Sequence, residues 1–228
     1  MPARETYLSS GPTRAGDAEL VALVLGTGLP GKSALCLAGD VLQRFGDLRG
    51  VATASVHELC DIKGLGPARA VRLHAALHAG RRSLVQGELG APVRSPAEAF
   101  AILSPVLQGL VDEELHALFL DRRRRLLAHR ALTRGSDAFT VVDPRQVFRL
   151  AVGCRAGAVI LAHNHPSGDP TPSRQDEDVT RRVVRAGHTL GIPLLDHLVV
   201  AGRRYVSLAE LGSVPELGER VEGVVWTR

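Results

Sequence analysis

Beyond residue 96 the sequence alternates short apolar segments with longer amphipathic ones, and this alternation constrains the fold more than any other feature. The amphipathic segments carry apolar residues three and four apart, as helices do. They are PAEAFAILSPVLQGL, PRQVFRLAVGCR and SRQDEDVTRRVVRAGHTLG. The apolar segments have the length and composition of strands. They are ELHALFLD, RLLAHRAL, AFTVV, AVILAHNH, PLLDHLVVAG and RRYVSL. Strands interleaved with helices predict an α/β domain with a central sheet covered by helices.

The preceding part of the chain has only the helical period. Apolar positions recur at helical spacing in DAELVALVL, KSALCLAGDVLQRF, SVHELCDI and PARAVRLHAALHAGRRSL, with glycine-rich joints between them. The Gly- and Pro-containing stretch QGELGAPVRSP, residues 86–96, interrupts that period. We therefore predict a small all-α domain over residues 1–88 and an α/β domain over residues 96–228.

Residues 26–33, GTGLPGKS, match the phosphate-loop pattern G-x-x-x-x-G-K-[ST]. A phosphate loop needs a buried strand before it and a helix after it. Here the preceding residues, DAELVALVL, are helix formers that follow a plausible N-cap. The match therefore predicts a joint between two helices, with Gly26 ending the first, and not a nucleotide-binding site.

Composition is compatible with a nucleic-acid-binding protein and argues against a disulfide-rich or membrane-spanning one. A net charge of +4 and a pI near 9.4 permit contact with nucleic acid without requiring it. Three cysteines with no C-x-x-C spacing suggest neither a disulfide framework nor a thiolate zinc site, and we expect buried free thiols. The N-terminus lacks an apolar signal core, and no apolar run approaches the roughly 20 residues of a membrane span. We expect a cytoplasmic protein without membrane contact.

The stretch AVILAHNHPSGDPTPSRQDED carries the candidate chemistry. His163 and His165 are two residues apart at the end of a predicted strand, so both side chains can project from the same face. Asp176 follows one turn into the next helix. Two histidines and one carboxylate, with a fourth position left for water, form the ligand set of a catalytic zinc site. Two simpler interpretations exist: histidines exposed in a loop, and a helix N-cap at Ser173 with an acidic first turn.

The same residues match a known signature. The spacing H-x-H-x7-S-x2-D over His163, His165, Ser173 and Asp176 resembles that of the JAMM (MPN+) metalloproteases. The chain is also similar to the RadC family over nearly its whole length. The segments that carry this similarity are HNHPSGDPTPS, the later LLDHLVV, and the N-terminal AELVALVLGTGLPGKSA and ELCDIKGLGPARA. The resemblance implies a cytidine-deaminase-like α/β/α fold of the JAB/MPN type with a central mixed sheet. It further implies one zinc ion per chain, bound by His163, His165 and Asp176.

The resemblance also implies a zinc-dependent hydrolase acting on a peptide or isopeptide carbonyl, with a protein or peptide substrate that the sequence does not specify. In the family a glutamate before an early strand activates the water on the metal. Glu113 aligns with that glutamate and Glu114 is the alternative, although either could be an acidic strand edge. Ser173 would donate a hydrogen bond to the developing oxyanion.

Some residues near the signature depart from the family or have no assigned role. Where the family commonly shows H-P-R-E, this chain has Asp143-Pro144-Arg145-Gln146, which bears on substrate recognition and not on the metal. His197 is expected to be a core or supporting residue and not a ligand, and the role of Asp196 is open. Nucleobase deamination on the related fold is disfavoured because H-x-E and P-C-x-x-C are absent.

The N-terminal region suggests a second kind of function. Residues 59–70, LCDIKGLGPARA, resemble a helix-hairpin-helix, and five Lys or Arg with no acid lie between Ile62 and Arg82. Backbone N–H groups at such a turn can approach a DNA phosphate. The candidate DNA contacts are Lys63, Gly64, Gly66, Arg69 and Arg72. A structural or protein-binding hairpin is the competing interpretation. A DNA-repair-associated protein is therefore the alternative function, with the metal domain a nuclease or an interaction platform; the oligomeric state is left open.

Overall fold

A computed structural model of the chain describes residues 3–86, 88–134 and 142–214. Contacts between residues divide the chain into two compact units, Met1–Arg81 and Arg82–Arg228. The domain limits expected above, 1–88 and 96–228, stay a prediction. Most of the expected strand AFTVV lies outside the described residues.

The first unit consists of helices. Their bounds are α1 Ala3–Ser10, α2 Asp17–Leu25, α3 Ala34–Phe45, α4 Leu48–Thr53, α5 Val56–Cys60 and α6 Pro67–Gln86, the last running past the unit's end. Ser33, Asp47 and Ser55 cap α3, α4 and α5 by accepting hydrogen bonds from backbone N–H groups of the first turn. The sequence predicted α2, α3, α5 and α6. It missed α1, which is mostly polar, and α4, which contains the poor helix formers Gly50, Val51 and Thr53.

The phosphate-loop match falls at the joint between α2 and α3, as predicted. Gly26 ends α2 with φ of 82°, and its N–H donates to the Ala22 carbonyl. Leu29 and Lys32 then exchange two backbone hydrogen bonds, which closes a tight turn. The Lys32 side chain pairs with Asp40, so the lysine of the pattern is engaged within the protein.

The second unit is built on one mixed sheet of five strands, in the order β2-β1-β3-β4-β5. Only the β3–β4 pair is parallel, and the other neighbours are antiparallel. The strands are β1 Glu114–Leu120, β2 Leu126–Arg134, β3 Ala158–Asn164, β4 Leu194–Ala201 and β5 Arg204–Ser207. The helices of this unit are α7 Pro96–Leu107, α8 Pro144–Gly153 and α9 Arg174–Leu190. The predicted α/β domain with a central mixed sheet is thus confirmed.

Helices cover both faces of this sheet. On one face, residues of α8 and α9 pack against alternate residues of β1 and β3, including Leu115 and Leu161. On the other face, α7 packs against the intervening residues, including Leu118 and Ile160. The arginine run forms the β1–β2 turn, where the Asp121 carboxylate accepts hydrogen bonds from two backbone N–H groups of the run.

Two general expectations can also be compared with the structure. The three cysteines are free, but Cys36 is exposed and the other two are only partly buried, so the expectation of buried thiols was wrong. Within the described residues, each helix is too short or too polar to cross a membrane.

Candidate metal centre

The structure brings His163, His165 and Asp176 together at the end of β3. His163 is the penultimate residue of the strand, and His165 follows it. The Nε2 atoms of the two histidines lie 3.0 Å apart. Asp176 Oδ1 lies 3.2 Å from His163 Nε2, and Asp176 Oδ2 lies 3.5 Å from His165 Nε2. The sequence interval of eleven residues is therefore closed by the loop and the first turn of α9.

Local interactions of the loop and helix start explain this closure. Ser173 is the N-cap of α9, and its hydroxyl accepts a hydrogen bond from the Asp176 N–H at 3.2 Å. The Asp176 carboxylate in turn accepts from the Ser173 N–H at 2.7 Å, which completes a capping box. His165 Nδ1 lies 2.8 Å from the Asp169 carbonyl oxygen within the loop. The cap interpretation and the metal interpretation of Asp176 are thus compatible in one geometry.

The donor atoms of this cluster suit a zinc ion. One atom from each side chain can be chosen so that all lie within 4.8 Å of one another. Tetrahedral zinc with bonds of about 2.0–2.1 Å places neighbouring donors about 3.3 Å apart. The two Nε2 atoms lie 3.0 Å apart, and each lies 3.2 or 3.5 Å from one of the two oxygens of Asp176, so all these distances are close to that value. Histidine nitrogens with a carboxylate oxygen are also donors that zinc prefers.

A chain of buried hydrogen bonds supports His163 from behind. His163 Nδ1 lies 2.9 Å from His197 Nε2 on β4. His197 Nδ1 lies 2.7 Å from the Thr180 hydroxyl, which donates to the Asp176 carbonyl oxygen at 2.6 Å. When the Nε2 lone pair of His163 is free to bind a metal, its Nδ1–H donates to His197 Nε2. His197 Nδ1–H then donates to the Thr180 hydroxyl, so each hydrogen bond of the chain contains one proton. His197 is a supporting residue, as expected.

Burial and hydrogen bonding shift the pKa values of the residues in and behind the cluster in different directions. Burial lowers the pKa of His163 and lowers that of His197 to about 4, so both rings are neutral at neutral pH. A hydrogen bond to Asp176 raises the pKa of His165. Burial opposes ionisation of Asp176, yet hydrogen bonds from His165 and Ser173 hold the pKa of that carboxyl well below its usual range. Asp176 is therefore an ionised ligand candidate beside a neutral one.

The two candidate glutamates point in different directions. Side chains alternate along a strand, and Leu115 packs on the face that His163 also shares. Glu113 falls on this face by the same alternation. Partial burial and repulsion from Asp176 raise the pKa of Glu113, and attraction to His165 opposes that shift. Glu114 instead lies 3.0 Å from His116 Nε2.

Ser173 is close to the cluster, but its hydroxyl already has partners. Its Oγ lies 2.7 Å from Asp176 Oδ2, where the hydroxyl is the donor, and it accepts from the Asp176 N–H. The expected role of Ser173 toward a substrate oxygen requires that the hydroxyl turn away from Asp176. That role stays a prediction.

Three supporting residues, Asn164, Asp196 and Thr180, were missed or left open by the sequence. Asn164, between the histidines, is buried, and its side chain contacts the segment before β1. Asp196 is fully buried and binds the Ser207 hydroxyl and two backbone N–H groups, of His197 and Ala209. Burial raises the pKa of Asp196 to about 6. Thr180 could have been found, because a residue four positions after Asp176 lies on the same helix face.

The candidate DNA contacts of the first unit have mixed environments. Lys63 and Gly66 are exposed on the turn before α6. The Arg69 guanidinium is engaged internally, donating to the Gly64 and Gly28 carbonyl oxygens at 3.0 Å each. Arg72 is exposed, and its Nη1 lies 3.4 Å from the Leu25 carbonyl oxygen.

Comparison with known proteins identifies the family of this chain. Residues 93–213 match the RadC-like JAB domain, and residues 2–71 match the UPF0758 N-terminal family. The chain belongs to the RadC family. JAB domains often bind zinc.

Relatives of this RadC chain are similar over almost their whole length. A UPF0758 protein of Geobacillus thermodenitrificans is 41% identical over 212 residues, which cover 92% of this chain and 94% of that protein. A UPF0758 protein of Geotalea uraniireducens is 42% identical, with coverage of 92% and 93%. A UPF0758 protein of Symbiobacterium thermophilum is 39% identical, with coverage of 92% of both chains.

The departure from the family pattern at residues 143–146 has a structural role in this RadC chain. Asp143 caps α8 by accepting a hydrogen bond from the Arg145 N–H at 2.9 Å. Gln146 donates to the Leu132 carbonyl oxygen on β2 at 3.2 Å. These side chains stabilise α8 against the sheet.

Proposed function

We propose that this protein is a zinc-dependent hydrolase that cleaves a peptide or isopeptide bond. The observation that carries the proposal is the convergence of the His163 and His165 Nε2 atoms with the two oxygens of Asp176, at distances of 3.0, 3.2 and 3.5 Å. Donors around tetrahedral zinc are separated by about 3.3 Å. Three protein donors leave a fourth position open, which is typical of catalytic sites and not of structural ones. When bound, zinc acidifies a coordinated water and polarises a carbonyl oxygen.

The residues around the donors supply the remaining chemistry. Glu113 accepts a proton from the attacking water and returns it to the leaving amine, for which a raised pKa is favourable. Ser173 donates a hydrogen bond to the oxygen that gains negative charge, once its hydroxyl leaves Asp176. His197 and Thr180 orient the His163 ring so that its Nε2 faces the ion.

Metal content tests this proposal directly. We expect elemental analysis of the purified protein to give about one zinc per chain, and the double variant His163→Ala, His165→Ala to give almost none. The matched control is His116→Gln, His129→Gln, which alters another close histidine pair in the same sheet. Unchanged zinc in the first variant, or equal loss in both, would contradict the proposal.

We propose DNA binding by the N-terminal unit as a second function. The turn between α5 and α6 would act as a helix-hairpin-helix. The observation in its favour is that Lys63 and Gly66 are exposed together on that turn, with Arg72 exposed on α6. A backbone turn and two cations would contact phosphates without reading the base sequence. Because Arg69 already holds two carbonyl oxygens, it would shape the turn more than it contacts DNA.

Gel shifts with the full chain and duplex DNA test this second function. We expect binding that weakens as salt rises, because phosphate contacts release counterions. The variant Lys63→Glu, Arg72→Glu should abolish it. The control Arg44→Glu, Arg49→Glu reverses the same charge on exposed residues away from the turn and should bind as the unaltered protein does. Absence of binding at low salt removes DNA from consideration.

A further inference from the structure

Asn164 stands between the two histidines, and the zinc chemistry proposed above gives it no role. Its side chain is buried, with 3% of its surface exposed. The Nδ2 group donates to the Asp112 carbonyl oxygen at 2.9 Å. The Oδ1 atom accepts from the Glu114 N–H at 2.8 Å. One amide thus binds the backbone on both sides of Glu113.

These contacts lie where the regular ladder between β1 and β3 stops. The final backbone pair at this end of the two strands is Leu115 with His163. Beyond it, Glu113 precedes the first residue of β1 and lacks the support of a regular strand. The side chain of Asn164 provides hydrogen bonds to this segment in place of the backbone ladder.

We propose that Asn164 is the positioning residue for Glu113, clamping the peptide groups around it and fixing its carboxylate on the side of His165 and Asp176. The inference rests on the proposed function, because Glu113 acts as a base only in that site. Both of these Asn164 side-chain hydrogen bonds go to backbone groups, so we assign Asn164 a role that acts through Glu113.

The chemistry of the clamp requires an amide side chain. It needs one donor and one acceptor on a single planar group, aimed at the two consecutive peptide groups that flank Glu113. An aspartate could only accept and would face the Asp112 carbonyl oxygen without a proton. A serine has both functions on one atom and is too short to reach two peptide groups. Alanine removes the hydrogen-bond partners that Asn164 gives to the Asp112 carbonyl oxygen and the Glu114 N–H.

Cobalt-loaded full-length protein offers a test that needs no substrate. The visible spectrum of bound Co²⁺ is recorded across pH for the unaltered protein, Glu113→Gln, Asn164→Ala and the double variant, together with cobalt affinity. We expect Glu113→Gln to change the pH profile and Asn164→Ala to move it toward the Glu113→Gln profile. The double variant should match Glu113→Gln alone, because residues acting through one group are not additive. Cobalt affinity of Asn164→Ala should change by less than the roughly 10-fold typical for losing a ligand's partner.

Two further variants separate positioning from general damage. Asn164→Ser replaces Asn164→Ala if the alanine variant does not fold, with the same expected profile. Ser207→Ala removes a buried hydroxyl that binds Asp196 and should leave the profile unchanged. One outcome overturns this inference alone. In it, Glu113→Gln changes the pH profile, but Asn164→Ala or Asn164→Ser keeps the profile of the unaltered protein. Failure to bind cobalt, or no effect of Glu113→Gln, overturns the proposed function and the inference with it.

Discussion

At the scale of single residues, the two adjacent glutamates show how alternation along a strand assigns chemistry. Glu113 falls on the sheet face of Leu115 and His163, whereas Glu114 and His116 belong to the opposite face. A pattern of two acids before a strand cannot by itself say which one reaches the site. The register between β1 and β3 supplies the answer, because it places Leu115 directly beside His163.

Replacing each glutamate in turn tests this assignment. We expect Glu113→Gln to retain zinc and to lower hydrolysis by about 10²–10⁴-fold, the usual contribution of a general base. Glu114→Gln, the matched control, should retain most activity. The measurement is the initial rate on a panel of peptide and isopeptide substrates, beside zinc content. Greater loss in Glu114→Gln would reverse the assignment.

Asp196 makes a separate prediction about pH and stability. Burial raises its pKa to about 6, so the folded chain keeps a proton that the unfolded chain releases near its ordinary pKa of about 3.9. The folded state then binds more protons, and the free energy of unfolding falls as pH rises between about 4 and about 6. The contribution of this group is at most about 3 kcal/mol.

The substitution Asp196→Asn should remove the part of the pH dependence of the unfolding free energy that comes from this carboxyl. Urea denaturation across pH of about 4 to 7 gives the unfolding free energy of the unaltered protein and of Asp196→Asn. As pH rises, the variant should become more stable relative to the unaltered protein. The exposed control Asp61→Asn should show no such trend. A difference that is constant with pH would mean that Asp196 is ionised throughout.

At the scale of elements, strand β4 joins the metal centre to helix α9. His197 on β4 binds the ring of His163 on β3, and Thr180 on α9 binds His197. Three elements thus hold one imidazole in a defined orientation. Residues that hydrogen-bond to a metal-binding histidine typically contribute strongly to metal affinity.

A valine at Thr180 keeps the shape of the side chain and removes its hydroxyl. We expect Thr180→Val to weaken zinc binding by about 10–100-fold, because His197 loses the partner that sets its proton. Thr180→Ser retains the hydroxyl and should bind zinc nearly as well as the unaltered protein. Competition with a chromophoric chelator measures both, and normal affinity in the valine variant would show that the chain of hydrogen bonds is dispensable.

The turn before α6 illustrates packing between two loops of the first unit. Gly64 has φ of 98°, and a Cβ built there would lie 2.2 Å from Leu29 Cδ1. The joint between α2 and α3, which carries Leu29, therefore packs directly on this turn. Arg69 binds both segments through the Gly64 and Gly28 carbonyl oxygens. The phosphate-loop match and the hairpin-like turn form one structural contact.

Alanine substitutions measure the importance of this contact. We expect Gly64→Ala to destabilise the protein by about 1–3 kcal/mol, from the strained φ and the overlap with Leu29. Gly39→Ala, on an exposed face of α3 with open space around it, should stabilise by about 0.5–1 kcal/mol. Thermal unfolding of both variants gives the comparison, and equal effects would show that Gly64 is not constrained.

At the scale of the whole molecule, the pattern of elements was readable from the sequence to a large extent. Apolar periodicity predicted α7, α8 and α9 and all five strands, because each element buries one face or both against a neighbour. Helix α4 was missed, because Gly50, Val51 and Thr53 are poor helix formers. The strand expected at AFTVV falls mostly outside the described residues.

Local sequence was enough to predict the two kinds of element pattern, the histidine pair at a strand end and the acid one turn into the next helix. These are local features, set by the periods of strands and helices and by capping. For Glu113, which the family resemblance favoured over Glu114, the fold adds the physical reason, because the strand register puts it on the face of His163. The hydrogen bonds of Asn164, His197 and Thr180 around the cluster were visible only in the fold. Those relations depend on strand order and register, which join residues about 20 to 50 positions apart and leave no periodic signal in the chain.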